Sequence, residues 1–182
     1  MLELTIFAVG SVCLAYVSRA SLRVPRSHGF YRFFAWESIL ALFLLNVDRW
    51  FFDPFSRHQI ISWLLLIVSI FLAVHGVHLL RTMGRPNEKR EDSALVGFEK
   101  TTSLVTTGAY KYIRHPLYGS LLFLAGGAFF KAPSWFGGAL MLAATIFLVL
   151  TAKVEEDECT RYFGPVYQTY MRQTKMFIPF LF

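Results

Sequence analysis

The chain has 182 residues, of which 55% are hydrophobic and 16% charged, with a formal net charge of +6. The charged fraction falls well short of the ~25% of an ordinary globular domain, and a mean hydropathy of +0.46 excludes disorder, which combines low hydrophobicity with high net charge. Two cysteines exclude a disulfide scaffold, and at this hydrophobicity the positive charge points to anionic lipid headgroups rather than to nucleic acid.

Charged residues divide the sequence into apolar blocks. The first, Leu4–Ser18, has only Glu3 before it. It lacks the basic leader of a secretory signal and reads as a span. The second, Phe33–Val47, contains Glu37, and Trp50, Phe51 and Phe52 extend it at an interface. An acid inside a span is a functional candidate, although a salt bridge or snorkelling also explains one. The third, His58–Leu80, lies between Arg57 and Arg81 and reaches the ~20 residues that a spanning helix needs. His75 and His78 share one face of it. Two ligands make a poor metal site, so they read as histidines hydrogen-bonded to neighbouring helices, and no metal centre is expected. The fourth block is His115–Phe130. The fifth, Ala132–Ala152, lies between Lys131 and Lys153 and again reaches full length.

Five spans sort the basic residues sharply. Alternate connections carry fifteen Lys and Arg on one side and three on the other. The positive-inside rule then places the N-terminus outside and the C-terminus in the cytoplasm. The expected architecture is an all-α integral membrane protein with about five transmembrane helices in one membrane domain. Residues 1–81 hold three spans, 82–114 a cytoplasmic loop, 115–152 a helical hairpin and 153–182 a cytoplasmic catalytic tail. A cofactor site is expected between that loop and the tail, where polar groups meet the membrane surface.

Two segments carry chemistry. The first is Leu104–Gly119, LVTTGAYKYIRHPLYG. Gly108 suits a turn with positive φ. Pro116 turns His115 away from helical geometry and suits the first turn of a helix. Arg114 and His115 therefore sit at a helix entrance, where free amides and the helix dipole favour an anion. The plainer reading is a basic anchor at lipid headgroups. The second segment, Lys153–Phe182, carries four consecutive acids, Glu155, Glu156, Asp157 and Glu158. Successive helical residues differ by about 100°, so only one or two can face a site. Acids oppose the dipole at a helix C-terminus, so the helix can run past Glu158 until Gly164-Pro165 breaks it. Tyr162, Tyr167, Tyr170 and Phe177 read as an interfacial belt. Neither GxGxxG nor GxxxxGK[ST] occurs, so any nucleotide-like cofactor needs another kind of pocket.

Together the two segments resemble the isoprenylcysteine carboxyl methyltransferase and phospholipid methyltransferase superfamily. The matching residues are Leu104-Val105-Thr106, Gly108, Tyr110, Arg114-His115-Pro116, Tyr118 and Gly119, then Glu155-Glu156, Phe163-Gly164, Tyr167, Tyr170 and Pro179. The resemblance implies S-adenosylmethionine as methyl donor, held in a membrane-embedded site. It implies donor contacts from Thr102, Ser103, Leu104, Val105, Tyr110, His115, Pro116, Leu117, Tyr118, Glu155 and Glu156. A helix entrance suits the donor's carboxylate and an acid suits its ammonium group. Arg114 is then the residue that orients an anionic acceptor, while Glu156 or Tyr118 can take a proton from an ammonium acceptor. The chain departs from the isoprenylcysteine pattern at Thr151, where that pattern has a substrate-contacting arginine.

The expected function is methylation of a lipophilic small molecule or lipidated acceptor at the membrane, most like isoprenylcysteine carboxyl O-methylation. Phospholipid amine N-methylation is the alternative. EDECTRYFG also resembles a stretch of NADPH-dependent sterol reductases through Cys159, and a non-enzymatic membrane protein is the third reading.

Overall fold

Each apolar block forms a helix in the computed structural model, which describes residues 2–85 and 101–181. The helices are α1 (Leu2–Val17), α2 (Arg19–Leu22), α3 (His28–Leu45), α4 (Arg57–Met83), α5 (Pro116–Phe129), α6 (Trp135–Phe163) and α7 (Pro165–Gln173). Of the loop expected over 82–114, residues 86–100 lie outside the described residues. The part from 101 onward is irregular apart from a 3₁₀ turn at Gly108–Lys111.

α4 and α6 are long and apolar enough to cross a membrane, and only 28% of either apolar window is buried. The core helix of a soluble protein hides such a window. Here Leu64, Ile67, Ile70, Phe71 and Val74 face outward along α4, a surface that matches lipid and not water. α1 and α5 are apolar but shorter. At 1.5 Å per residue they measure roughly 24 and 21 Å, short of the ~30 Å hydrocarbon core. The expectation of five spans thus meets two helices of full length among the described residues.

Local signals set the helix ends. Ser27 Oγ accepts from the Phe30 amide at 3.2 Å and starts α3 at His28, five residues before the expected Phe33. This cap carries Arg32 into the helix, where it is buried with its guanidinium over Trp36. Ser134 Oγ caps α6 through the Gly137 amide at 3.1 Å. α6 then runs unbroken past Glu158 to Gly164, whose φ of +64° reverses the chain.

α3 packs along α6 and α4 along α5, and α5 joins the two pairs. Ala35, Ala125, Ala128 and Ala144 are fully buried at these contacts, and small side chains bring helix backbones close. Ser62 Oγ and Ser69 Oγ on α4 donate to the Gly127 and Ser120 carbonyls of α5 at 2.7 and 2.8 Å. Ser11 Oγ on α1 donates to Glu37 Oε2 at 2.7 Å, so the acid inside α3 has a polar partner. At the α5–α6 turn lies Lys131, the residue that bounds the fifth apolar block. It is 1% exposed, with Nζ 3.0 Å from Gln59 Oε1, 3.3 Å from the Trp50 carbonyl and 3.3 Å from the centre of the Trp63 ring.

Candidate active site

The site forms where the C-terminal end of α4, the entrance of α5 and the acidic turns of α6 converge. Residues 101–103 dock first. The amides of Thr102 and Ser103 donate to the Gly84 carbonyl at 3.0 and 3.1 Å. Gly108 turns the chain at φ +58° against His75, whose Nε2 accepts from the Ala109 amide at 3.4 Å. A side chain on Gly108 would run into that imidazole ring. His75 therefore holds the loop, and His78 lies on an outer face of α4.

The segment after Tyr112 is clamped by the tail. Lys175 N donates to the Tyr112 carbonyl at 3.0 Å, while Arg114 N and His115 N donate to the Lys175 and Met176 carbonyls at 2.9 and 3.2 Å. This short parallel pairing of Ile113 with Lys175 fixes the turn into Pro116, the first residue of α5. The Arg114 guanidinium then points at α6. Its Nε donates to Glu156 Oε1, and its Nη1 donates to the Thr174 carbonyl at 2.8 Å.

His115 is buried between two acids. Its Nε2 is 3.2 Å from Glu156 Oε1 and its Nδ1 is 3.5 Å from Glu155 Oε2. Two ring nitrogens facing two carboxylates call for two donors, which only the imidazolium supplies. Burial opposes that charge, but the hydrogen bonds to Glu155 and Glu156 outweigh it and hold His115 above its ordinary value. Glu155 Oε2 is buried, with His115 Nδ1 facing it.

These groups line a narrow cavity of about 80 Å³, smaller than the ~300–1,000 Å³ of filled small-molecule sites. Of the expected site residues, Leu104, Val105, Tyr110, Arg114, His115, Leu117, Tyr118 and Glu155 lie on its wall. Thr102, Ser103, Pro116 and Glu156 do not. Thr102 is exposed, with Oγ1 on the Arg85 carbonyl at 2.9 Å. Ser103 has its amide on Gly84, Pro116 is fully buried as the first residue of α5, and Glu156 stands behind the wall as the partner of Arg114 and His115.

The four acids separate as helical geometry requires. Glu155 and Glu158, three residues apart, reach the cavity, Glu156 turns to Arg114, and Asp157 is exposed. The aromatic belt is corrected in part. Tyr162 is exposed, but Tyr167, Tyr170 and Phe177 are buried, because α7 folds back over the site. Tyr170 Oη donates to the Tyr110 carbonyl at 2.7 Å, and burial pushes the Tyr167 and Tyr170 phenols well up. The wall also takes Leu80 and Thr101, which the sequence motifs did not bring forward, and Glu158, Cys159 and Phe163, which they named without a donor contact. The i, i+3 spacing of Glu155 and Glu158 was the signal available for one of them.

Over 146 residues, 75% of the chain, it is 27% identical to a methanethiol S-methyltransferase of Crocosphaera subtropica, covering 53% of that protein. It is 32% identical over 65% of its length to methanethiol S-methyltransferase 1 of Bradyrhizobium diazoefficiens, covering 39% of it. It is also 28% identical over 66% of its length to a methanethiol S-methyltransferase of Pseudomonas deceptionensis, covering 43% of it. Its homologues belong to the isoprenylcysteine carboxyl methyltransferase-like family of membrane methyltransferases. The chain spans about two fifths to about half the length of these relatives. No family model and no solved structure matches it. Methyltransferase relatives and outward-facing apolar helices support a membrane enzyme that draws on a methyl donor.

Proposed function

We propose that the chain is an S-adenosylmethionine-dependent methyltransferase that acts at the cytoplasmic face of a membrane on a neutral thiol. The observation that carries the donor assignment is Glu155, a carboxylate on the cavity wall held in place by His115. A carboxylate there suits the donor's ammonium group. The first amides of α5 carry no side-chain cap and suit its carboxylate. Leu104, Val105, Tyr110 and Leu117 supply the apolar wall for its adenosyl part. When bound, the donor supplies an electrophilic methyl group on a sulfonium sulfur. His115, fixed between Glu155 and Glu156, holds the Glu155 carboxylate in place. Arg114 is engaged by Glu156 and Thr174, so it positions the acidic turn rather than reaching toward an anionic acceptor.

The acceptor follows from charge. A carboxylate acceptor would meet Glu155 and Glu158, and among the described residues the arginine on that wall, Arg114, is engaged by Glu156 and Thr174. Thr151, at the position of the family's arginine, is buried with Oγ1 on the Phe147 carbonyl at 2.7 Å. Arg172 and Lys175 line a different hollow. A neutral thiol, the group named in the relatives' activity, avoids that repulsion. The wall acids also favour a second reading, an ammonium acceptor such as a phospholipid amine. The full chain in detergent, given labelled S-adenosylmethionine with an alkanethiol, a prenylcysteine and phosphatidylethanolamine, should place label in the methyl thioether. Label in an ester or in the lipid amine overturns the thiol reading. Glu155→Ala should weaken S-adenosylhomocysteine binding by roughly 1.5–3 kcal/mol, the range of a charge-assisted hydrogen bond, and unchanged calorimetric affinity removes Glu155 from the site.

A further inference from the structure

Behind the cavity wall sits a histidine that no motif marked. His28, the first residue of α3, is 0% exposed. Its Nδ1 lies 2.5 Å from Glu158 Oε2, and its Nε2 is buried without a hydrogen bond among the described residues. Glu158 lines the cavity and keeps 32% of its side chain exposed. It therefore has one oxygen on a fixed imidazole and a face turned to the cavity.

The acid and the arginine that share the wall with Glu158 are committed elsewhere. Glu155 faces His115, and Arg114 faces Glu156. A guanidinium has no acceptor site. Burial keeps the Tyr167 and Tyr170 phenols protonated at neutral pH. A thiol reacts as its thiolate, and an alkanethiol enters the site protonated, so its methylation requires a place for one proton.

We propose that Glu158, held in position by His28, accepts that proton, an inference that rests on the thiol reading above. The acceptor's S–H bond breaks and its electron pair stays on sulfur. That pair forms the new S–CH₃ bond while the donor's S–CH₃ bond breaks and leaves its pair on the donor sulfur. The proton passes to the second oxygen of the Glu158 carboxylate, while Oε2 keeps its hydrogen bond with Nδ1 of His28. The positive charge lost by the sulfonium reappears on the Glu158–His28 pair, so charge balances. Glu158 is the catalytic residue in this step. His28 is a positioning residue that fixes the carboxylate.

The test compares two acceptors on the full chain purified in detergent. An alkanethiol needs a base at neutral pH, whereas thiophenol is already largely a thiolate. Glu158→Gln should lose roughly 100-fold or more of its turnover with the alkanethiol, the scale of a positioned general base. It should keep thiophenol turnover within a few-fold. His28→Gln should shift the ratio of the two rates in the same direction by less. Both variants should bind S-adenosylhomocysteine as the wild type does, by calorimetry. A parallel loss with both thiols, or no loss with either, overturns the assignment. Where Glu158→Gln binds no S-adenosylhomocysteine, His28→Gln and Glu158→Asp carry the test, and a wild-type rate ratio in both overturns it. A wild type that methylates neither thiol defeats the thiol reading itself, and this inference with it. A wild type that methylates both, beside variants with an unmoved ratio, defeats the Glu158 assignment alone.

Discussion

The two ends of α5 each bury a cation, and they do so in opposite ways. At the entrance, Arg114 and His115 meet carboxylates, Glu155 and Glu156. At the exit, Lys131 meets an amide oxygen, a backbone carbonyl and an indole face, with no acid partner among the described residues. Neutral dipoles and a π face satisfy the lysine and leave nothing over, so the exit is a closed turn. Carboxylates at the entrance leave acceptor capacity in hand, where Glu155 and Glu158 face the cavity. A buried cation therefore does not mark a site by itself. Surplus anionic capacity beside it does.

The largest effect that sharpens this contrast is expected from Arg114→Met. It leaves Glu156 without its guanidinium and the Thr174 carbonyl without a donor. Breaking a buried ion pair costs about 3–5 kcal/mol. The thermal midpoint and S-adenosylhomocysteine affinity should fall together in one preparation, and a variant as stable as the wild type would break the comparison. Lys131→Met should cost less, about 1–3 kcal/mol, for the unpaired Gln59 and Trp50 oxygens. Here the thermal midpoint should fall while affinity for S-adenosylhomocysteine holds, and loss of that affinity would make the exit part of the site. The smallest effect is a pH slope. His115 is held above its ordinary value of 6.5 by Glu155 and Glu156, against burial. Its stabilising contribution is thus fully present below about pH 6.5 and declines as pH rises through its raised folded value. Thermal midpoints measured across that window should fall with pH in the wild type more than in His115→Asn. Parallel curves would show that the imidazolium contributes nothing.

Parts of this arrangement were legible in the sequence because they rest on local rules. Pro116 marks the start of α5, Gly164 the end of α6, and the unbroken apolar runs mark α4 and α6. The hairpin of α5 and α6 was enough to foresee that His115 and Glu155 meet. Where the chain leaves regular structure, no period tells inside from outside. Thr102 was expected to face the site and faces solvent, while Tyr167 and Tyr170 were expected at the interface and are buried. His28 was illegible for another reason. Its partner Glu158 is 130 residues away, and nothing in the composition around either residue announces the other. The burial of Lys131 was not legible either, because its aromatic cover comes from Trp50 and Trp63, far upstream.

The pairing of Ile113 with Lys175 carries a consequence for the order in which the molecule is made. The turn that presents Arg114 and His115 is fastened by carbonyls of Lys175 and Met176, which a ribosome adds some sixty residues later. A nascent chain that has already threaded α5 and α6 still lacks this fastening. The site closes only when synthesis has passed Met176, so a chain halted before that residue has its helices but an unclasped reaction centre.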